Sequence, residues 1–469
     1  MAFWNNDKQQ ESQNPQPAQP QDTARASQPQ RTPAPPPAQQ TMPPGAAMAA
    51  LEEKVNLLLK NTGRSPAIDV AIQISDLILE AAVCERASDI HFEYHANNLR
   101  VRFRIDGALQ DVLVLPRNQN LPITQRLRVL AGFDPEPPTT FRTEEGRFQK
   151  VLNGRPIQIR VSSFPTINGE KLVLRVLDRN QMGLNIEQLG MTPENLAVMR
   201  KVVKSPYGIF FITGATGSGK TTTLYAMLKT VGSPMINVIT LEDPVEYRVE
   251  GINQAQINQK TGFSWGEGLR TILRQDPDII MVGEIRDHET AEISMRAALT
   301  GHLIFTTLHT ISAPGVVERL FEMGIPPFLM ASSMLGSLSQ RLVRRVCPQC
   351  AQNAAPPPEQ AVDEFVKSLD PAEAKAIKEI IFKPGSNFKI EKGCPACRNT
   401  GYLGRTGIFE IMIMNEELRK QILSHASTDS IRRTAVQHGM QTLLMDGIYK
   451  AWMGTTTLSE VLRVTATMV

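Results

Sequence analysis

From Gly214 to Thr221 the chain reads Gly-Ala-Thr-Gly-Ser-Gly-Lys-Thr, a glycine-rich turn closed by a lysine and a hydroxyl residue. That spacing suits phosphate. The glycines let backbone N–H groups close around the oxygens, Lys220 can reach the β and γ oxygens, and the Thr221 hydroxyl can ligate Mg²⁺. The turn follows an apolar run, Ile209 to Ile212, and opens a helix-forming one, Thr221 to Thr230, which is the strand–turn–helix context this chemistry needs. Gly214, Ala215, Thr216, Gly217, Ser218, Gly219, Lys220, Thr221 and Thr222 are therefore the candidate nucleotide-binding set.

Carboxylates follow other apolar runs. Ile279 to Val282 ends in Gly283-Glu284. Beside a phosphate cradle, a carboxylate at the end of such a strand holds Mg²⁺ or orients the attacking water, and Glu284 is the first candidate for that role. The segment Thr240-Leu-Glu242-Asp243-Pro-Val-Glu246 repeats the arrangement, although any one of its carboxylates is alternatively a turn former. His302 and His309 flank one more apolar strand. Alone they read as packing or capping groups; next to a phosphate site, His309 can hydrogen-bond a γ-phosphate.

Cys347-Pro-Gln-Cys350 and Cys394-Pro-Ala-Cys397 are two Cys-x₂-Cys pairs with 43 residues between them. In a reducing compartment such pairs point to metal: four thiolates hold Zn²⁺ tetrahedrally with no open position, a structural role. Cys84 lies in an apolar-periodic stretch and reads as a small core residue.

These groups must be positioned by a chain of 469 residues, enough for two or three domains. With 41% hydrophobic and 21% charged residues and a formal net charge of +3, the composition is that of a globular protein and offers no basic surface for nucleic acid. The sequence contains no apolar run long enough to span a bilayer, and its polar N-terminus lacks a signal-peptide core, so a cytoplasmic location is expected. Residues 1–50 are rich in Pro, Gln and Ala and read as a disordered tail; 51–65 read as a short helix and linker, the helical pattern running from Met48 to Lys60 and ending near Gly63.

Residues 66–185 read as an α+β domain, a helix from Ala67 to Arg86 followed by short antiparallel strands that include Leu99–Ile105, Ile157–Val161 and Leu172–Val176. Residues 186–346 alternate apolar strands with amphipathic helices, the signature of a parallel sheet covered on both faces. Residues 347–403 are assigned to a cysteine lobe and 404–469 to a C-terminal helical subdomain, with a small helical bundle from Asn415.

In order and spacing, the phosphate turn, the acidic segment Glu242 to Glu246, the segment Gly283 to Asp287 and the two histidines resemble the secretion ATPase superfamily, comprising type II secretion protein E and the type IV pilus assembly ATPases. The likeness extends to Ser88-Asp-Ile-His91, Arg102-Phe-Arg-Ile-Asp-Gly107, Gly169-Glu-Lys171 and Gly401-Tyr-Leu-Gly-Arg-Thr-Gly407. It implies a RecA-like α/β core with a preceding PAS-like domain, and Mg²⁺-dependent ATP hydrolysis in a homohexamer. It also implies that Glu246 and Glu284 position water and Mg²⁺ and that His302 and His309 lie near the phosphates. Arg160 and Arg175 would serve as charge-neutralising fingers supplied by the preceding domain. The implied location is cytoplasmic and peripheral to the inner membrane, docked on a platform protein, with pilin or pseudopilin subunits as cargo. The four cysteines favour assembly or secretion over retraction.

The chain departs from the family where a folded N-terminal domain usually stands, and at Glu144-Glu145-Gly146-Arg147, where the family often reads Gln-Asp-Gly-Arg. The competing readings are a DNA-uptake or conjugation motor, and a scaffold that hydrolyses little.

Overall fold

The structure, a computed structural model, describes residues 45–60, 66–117, 122–136, 142–178 and 184–466. Of the tail expected over 1–50, residues 1–44 lie outside them, as does the helix stop expected near Gly63. The first helix runs Ala46–Lys60 and so takes in residues assigned above to the tail. Alanines are strong helix formers, and Ala47, Leu51 and Val55 make one buried stripe. The Glu85 carboxylate holds the helix start, accepting from the N–H groups of Gly45 at 2.9 and 3.0 Å and of Met48 at 3.3 Å.

The second helix, Ala67–Cys84, buries Val70, Ile74 and Ile78 at four-residue spacing. It belongs to a domain built on a six-stranded antiparallel sheet, β1 (Asp89–Tyr94), β2 (Asn98–Ile105), β3 (Ala108–Pro116), β4 (Glu144–Leu152), β5 (Arg155–Thr166) and β6 (Gly169–Asp178), in the order β3-β2-β1-β6-β5-β4. Alternation in β2 is strict: Leu99, Val101, Phe103 and Ile105 enter the core, while Arg100, Arg102 and Arg104 line the other face. Cys84 sits at the edge of this core and is only partly buried; its thiol accepts from Asn153 Nδ2 at 3.2 Å, and burial pushes its pKa up, away from nucleophilic use.

The second sheet has seven strands. β7 (Gly208–Thr213), β8 (Val238–Glu242), β9 (Asn253–Gln256), β10 (Ile279–Val282), β11 (Leu303–Leu308) and β12 (Met334–Val346) are parallel, in the order β12-β7-β11-β10-β8-β9. β7, β8, β10 and β11 are buried along their whole lengths, as strands covered on both faces must be. A short ribbon, β13 (Gln352–Asn353) with β14 (Lys389–Ile390), belongs to the cysteine lobe. β15 (Tyr402–Ile413) then returns antiparallel to β12 and closes the edge of the core sheet. The segment 404–413, placed above in the C-terminal helical part, is thus a strand of the core, and the helices of the bundle start at Glu416.

The two sheets meet through residues 398–405. Arg398, one residue after Cys397, pairs at 2.9 Å with Glu85, whose side chain is wholly buried. Asp106, in the turn between β2 and β3, accepts the Gly404 N–H at 2.8 Å.

Candidate functional site

Because β7, β8, β10 and β11 run parallel, their C-terminal ends share one edge, and every segment that follows them is delivered there. The turn after β7 is shaped by contact as well as by conformation. Gly214 and Gly219 have φ of 141° and 92°, and a Cβ on them would meet the Gln340 carbonyl oxygen at 2.4 Å and Gln340 Nε2 at 2.7 Å. The helix Lys220–Val231 then begins with no side-chain cap, so its first N–H groups face the turn and favour an anion. Ser218 Oγ is buried there without a hydrogen-bond partner among the described residues. Lys220 Nζ folds back onto the carbonyls of Gly214 at 2.8 Å and Ala215 at 3.2 Å; burial lowers its pKa, and the Glu284 charge opposes that shift. An anion held by these groups would gain a cation already aimed at it. A cleft of about 490 Å³ opens beside Ala215–Ser218, walled by Arg341, Leu342, Arg405, Arg463 and the Asp106–Gly107 turn.

Glu284 leaves the end of β10 with 17% of its side chain exposed and meets His309 Nε2 at 3.3 Å and the Arg286 guanidinium. His309 leaves the end of β11, so the two lie together at the cradle's edge. His302 precedes β11 and therefore stands at the opposite edge of the sheet, where its Nδ1 lies 2.9 Å from the Ala297 carbonyl. It terminates a helix and does not approach the phosphate turn, contrary to expectation.

The acidic segment after β8 divides by role. Glu242 is buried, accepting from Thr240 Oγ1 at 2.6 Å, Gln254 Nε2 at 3.0 Å and the Tyr225 hydroxyl. It is a structural anchor. Glu246 is half-buried, and the guanidinium of Arg160 on β5 lies 2.9 Å from its carboxylate. Arg175, directly opposite Arg160 in the β5–β6 register, does not follow it: its guanidinium pairs with Asp89 at 3.3 Å. The remaining motif residues of this domain form an ion cluster on the sheet. Arg102 and Lys171 each stand 2.8 Å from Glu93 and, against the burial that would raise it, hold that carboxyl at about 2.

Two residues at this site escape sequence reasoning. Tyr225, on the cradle's own helix, donates to Glu242, accepts the Glu246 N–H at 3.3 Å and packs edge-on against Tyr247 with ring centroids 4.4 Å apart. Burial and the Glu242 charge push its phenol far above the ordinary range, so it stays a donor at any physiological pH. Gln340, from β12, accepts from Thr223 Oγ1 at 2.6 Å and forms the floor of the glycine turn. Neither is marked by a motif; only the fold brings them in.

The four cysteines converge although 43 residues separate the pairs. Their sulfurs all lie within 4.8 Å of one another, at 3.8 Å for Cys347–Cys394 and 3.7 Å for Cys350–Cys397 and for Cys394–Cys397. These separations are far beyond a disulfide, and they match the roughly 3.8 Å edge of a tetrahedron of sulfurs about 2.3 Å from a central ion. The N–H groups of Cys394 and Gly401 point at Cys397 Sγ from 3.1 and 3.2 Å and, overcoming burial, bring that thiol down to about 7, toward the thiolate a metal requires.

Comparison with known proteins agrees with this arrangement. A family model described as type II/IV secretion system protein matches residues 66–463. Type II secretion system protein E of Pseudomonas aeruginosa is 44% identical over 394 residues, 84% of this chain and 75% of that protein. The type IV pilus assembly ATPase PilB of Myxococcus xanthus is 42% identical over 397 residues, 84% of this chain and 68% of that protein. The X-ray structure of the Yersinia pseudotuberculosis ATPase DotB shares the fold, with a TM-score of 0.61 at 20% identity over 86% of this chain and 96% of that one. Because the family model spans residues 66–463, through both sheets and the cysteine lobe, and relatives above 40% identity match 84% of the chain, the chain belongs to the type II/IV secretion system protein family.

Proposed function

We propose that this protein is a Mg²⁺-dependent ATPase that works as a homohexameric ring and powers assembly of a type IV pilus or a type II secretion pseudopilus. The observation that carries the reading is the meeting of Arg160, from the antiparallel domain, with Glu246 at the edge that also holds Lys220, Glu284 and His309. A cation from one domain placed on a carboxylate beside a phosphate cradle is an exchangeable contact. Incoming phosphate oxygens compete for the guanidinium, and when they win, Glu246 is freed to orient water. Arg175, one strand over, supplies a second cation on the same sheet.

The Thr221 hydroxyl would hold Mg²⁺, which neutralises charge on the β and γ oxygens, and Glu284 would serve as general base on the attacking water. The nucleoside would extend into the cleft beside Ala215–Ser218. A core in which the cradle strand sits between β12 and β11 supports the RecA-like reading, and a sheet that pairs its first and last strands next to the centre supports the PAS-like one only in outline. No helix among the described residues is long and apolar enough to cross a membrane, in keeping with a peripheral motor docked on an inner-membrane platform protein.

ATPase rate measured against protein concentration, with light scattering as the report of assembly, tests the ring. Activity should rise with assembly, and Arg160→Ala should lower the assembled rate by about ten- to a hundredfold, less than a finger supplied wholly in trans, because the substitution also frees Glu246. A monomer at full rate with an indifferent Arg160 would overturn the ring mechanism.

Zinc is the ion the four sulfurs suit best. The purified chain should carry about one zinc per protomer, retained on dialysis and lost in Cys350→Ser. Because Arg398 follows Cys397 directly and pairs with the carboxylate that holds Gly45 and Met48, removing the ion should speed amide exchange at residues 45–48 by at least about tenfold. Unchanged exchange after complete zinc loss would show that the lobe holds its shape without metal.

A further inference from the structure

We infer that Glu410 is a positioning residue for His309, acting through the loop that joins them. The inference rests on the role given above to His309. That side chain is 57% exposed and touches the site through Glu284 alone among the described contacts, so its place is set by its backbone. The loop after it is clamped along its length. Thr213, the residue before the phosphate turn, accepts the Thr310 N–H at 2.8 Å and bonds the Thr310 carbonyl at 2.7 Å. Ser339 donates to the Ile311 carbonyl at 3.2 Å and Ser337 to that of Ala313 at 2.8 Å.

The far end of the loop is held by Glu410. Its Oε1 accepts the Ala313 N–H at 2.7 Å, and its Oε2 accepts the Leu443 N–H at 3.4 Å, at the start of the helix Leu443–Trp452. The same helix grips β15 just before Glu410: Asp446 accepts the Phe409 N–H at 2.8 Å, and Lys450 donates to the Gly407 carbonyl at 2.6 Å. A fully buried carboxylate costs several kcal/mol of desolvation unless its partners are fixed. Glu410 therefore locks the loop to the helix, so that neither moves alone. One end of the histidine loop answers to the phosphate turn through Thr213, and the other to the C-terminal helices through Glu410.

The test is a kinetic double-mutant cycle in the full-length chain, with thermal unfolding to show that each variant is folded. Glu410→Gln keeps an acceptor for Ala313 but turns an amide N–H toward that of Leu443. A misplacement of about 1 Å at a reacting centre costs up to about a hundredfold, so kcat should fall by about ten- to a hundredfold while KM for ATP stays within about twofold. His309→Ala added to it should lower kcat by less than about threefold further. Ser337→Ala, a gentler change at the same clamp, should give a smaller loss in kcat that is likewise masked by His309→Ala. Losses that multiply in the double variants, or a rise in KM with kcat unchanged, would overturn this inference and leave the histidine's role standing. A His309→Ala enzyme with wild-type kcat would overturn that role and the inference with it.

Discussion

Lys220→Ala should abolish ATP hydrolysis, leaving less than about a thousandth of the wild-type rate at saturating ATP, and should weaken nucleotide binding as well. The ammonium is the one cation of the glycine turn, and it lies on the carbonyls of Gly214 and Ala215 at 2.8 and 3.2 Å. Those carbonyls must be exchanged for phosphate oxygens when ATP enters, a trade of neutral acceptors for charged ones that favours the ligand. Removing a single charge-stabilising group from such a site costs about a hundred- to a thousandfold in kcat, and here ground-state affinity is lost in addition. The fold should survive. Lys220 occupies the first position of its helix, alanine is the best helix former, and the released carbonyls lie next to an open cleft that admits water. Circular dichroism and a thermal melt beside a fluorescent-nucleotide titration separate the two effects. Wild-type hydrolysis by a well-folded Lys220→Ala protein would mean that the glycine turn is not where ATP is cleaved.

The cradle was legible because its chemistry occupies adjacent residues and its context is local: an apolar strand before, a helix after. What the sequence left open was decided by partners far along the chain. Glu242 and Glu246 follow the same strand and look equivalent. Tyr225 and Gln254 bury the first, and Arg160 reaches the second. Arg160 and Arg175 likewise sit in matching strand contexts, directly opposite each other in the sheet. Which one meets Glu246 depends on how the domain docks through Arg398–Glu85 and Gly404–Asp106, contacts between residues some 300 positions apart. The resemblance implies that His302 lies near the phosphates, but it precedes its strand, and only the segments that follow the parallel strands reach the cradle. Most of β15 lies in a stretch assigned by sequence to the helical part, and within it Gly407 makes room for the Phe409 ring, which a Cβ there would meet at 2.3 Å. The cysteine pairs could be matched from spacing alone, since metal ligands are recognised by type whatever loop lies between them.

Glu284→Gln should separate binding from chemistry. The amide keeps the size of the side chain and one acceptor oxygen, so nucleotide affinity should stay within about threefold of wild type, whereas hydrolysis at saturating ATP should fall by about a hundred- to ten-thousandfold, the range for losing a general base. That fall is about 3–5 kcal/mol of barrier. The carboxylate stands between the Arg286 guanidinium and His309 Nε2, the latter at 3.3 Å, and its charge acts on Lys220. Two cationic or proton-bearing groups thus converge on one carboxylate at the edge of the cradle, an arrangement that fixes its direction while leaving it partly exposed. With the charge gone, neither neighbour is held as firmly, but both remain solvated, so little stability should be lost: Arg286 is 62% and His309 57% exposed, and contacts at that exposure contribute about 1 kcal/mol or less. The variant should therefore fill with ATP, assemble as wild type does, and stall. The decisive comparison is with Glu246→Gln under the same conditions. If Glu284 carries the chemistry, its variant stalls more deeply and retains ATP longer. If the two variants are equal, the attacking water is held by both carboxylates, and the Arg160 contact to Glu246 gains a direct hold on the rate. If Glu284→Gln hydrolyses ATP at the wild-type rate, the carboxylate at the end of β10 is a surface residue paired with Arg286, and the base must be sought at Glu246.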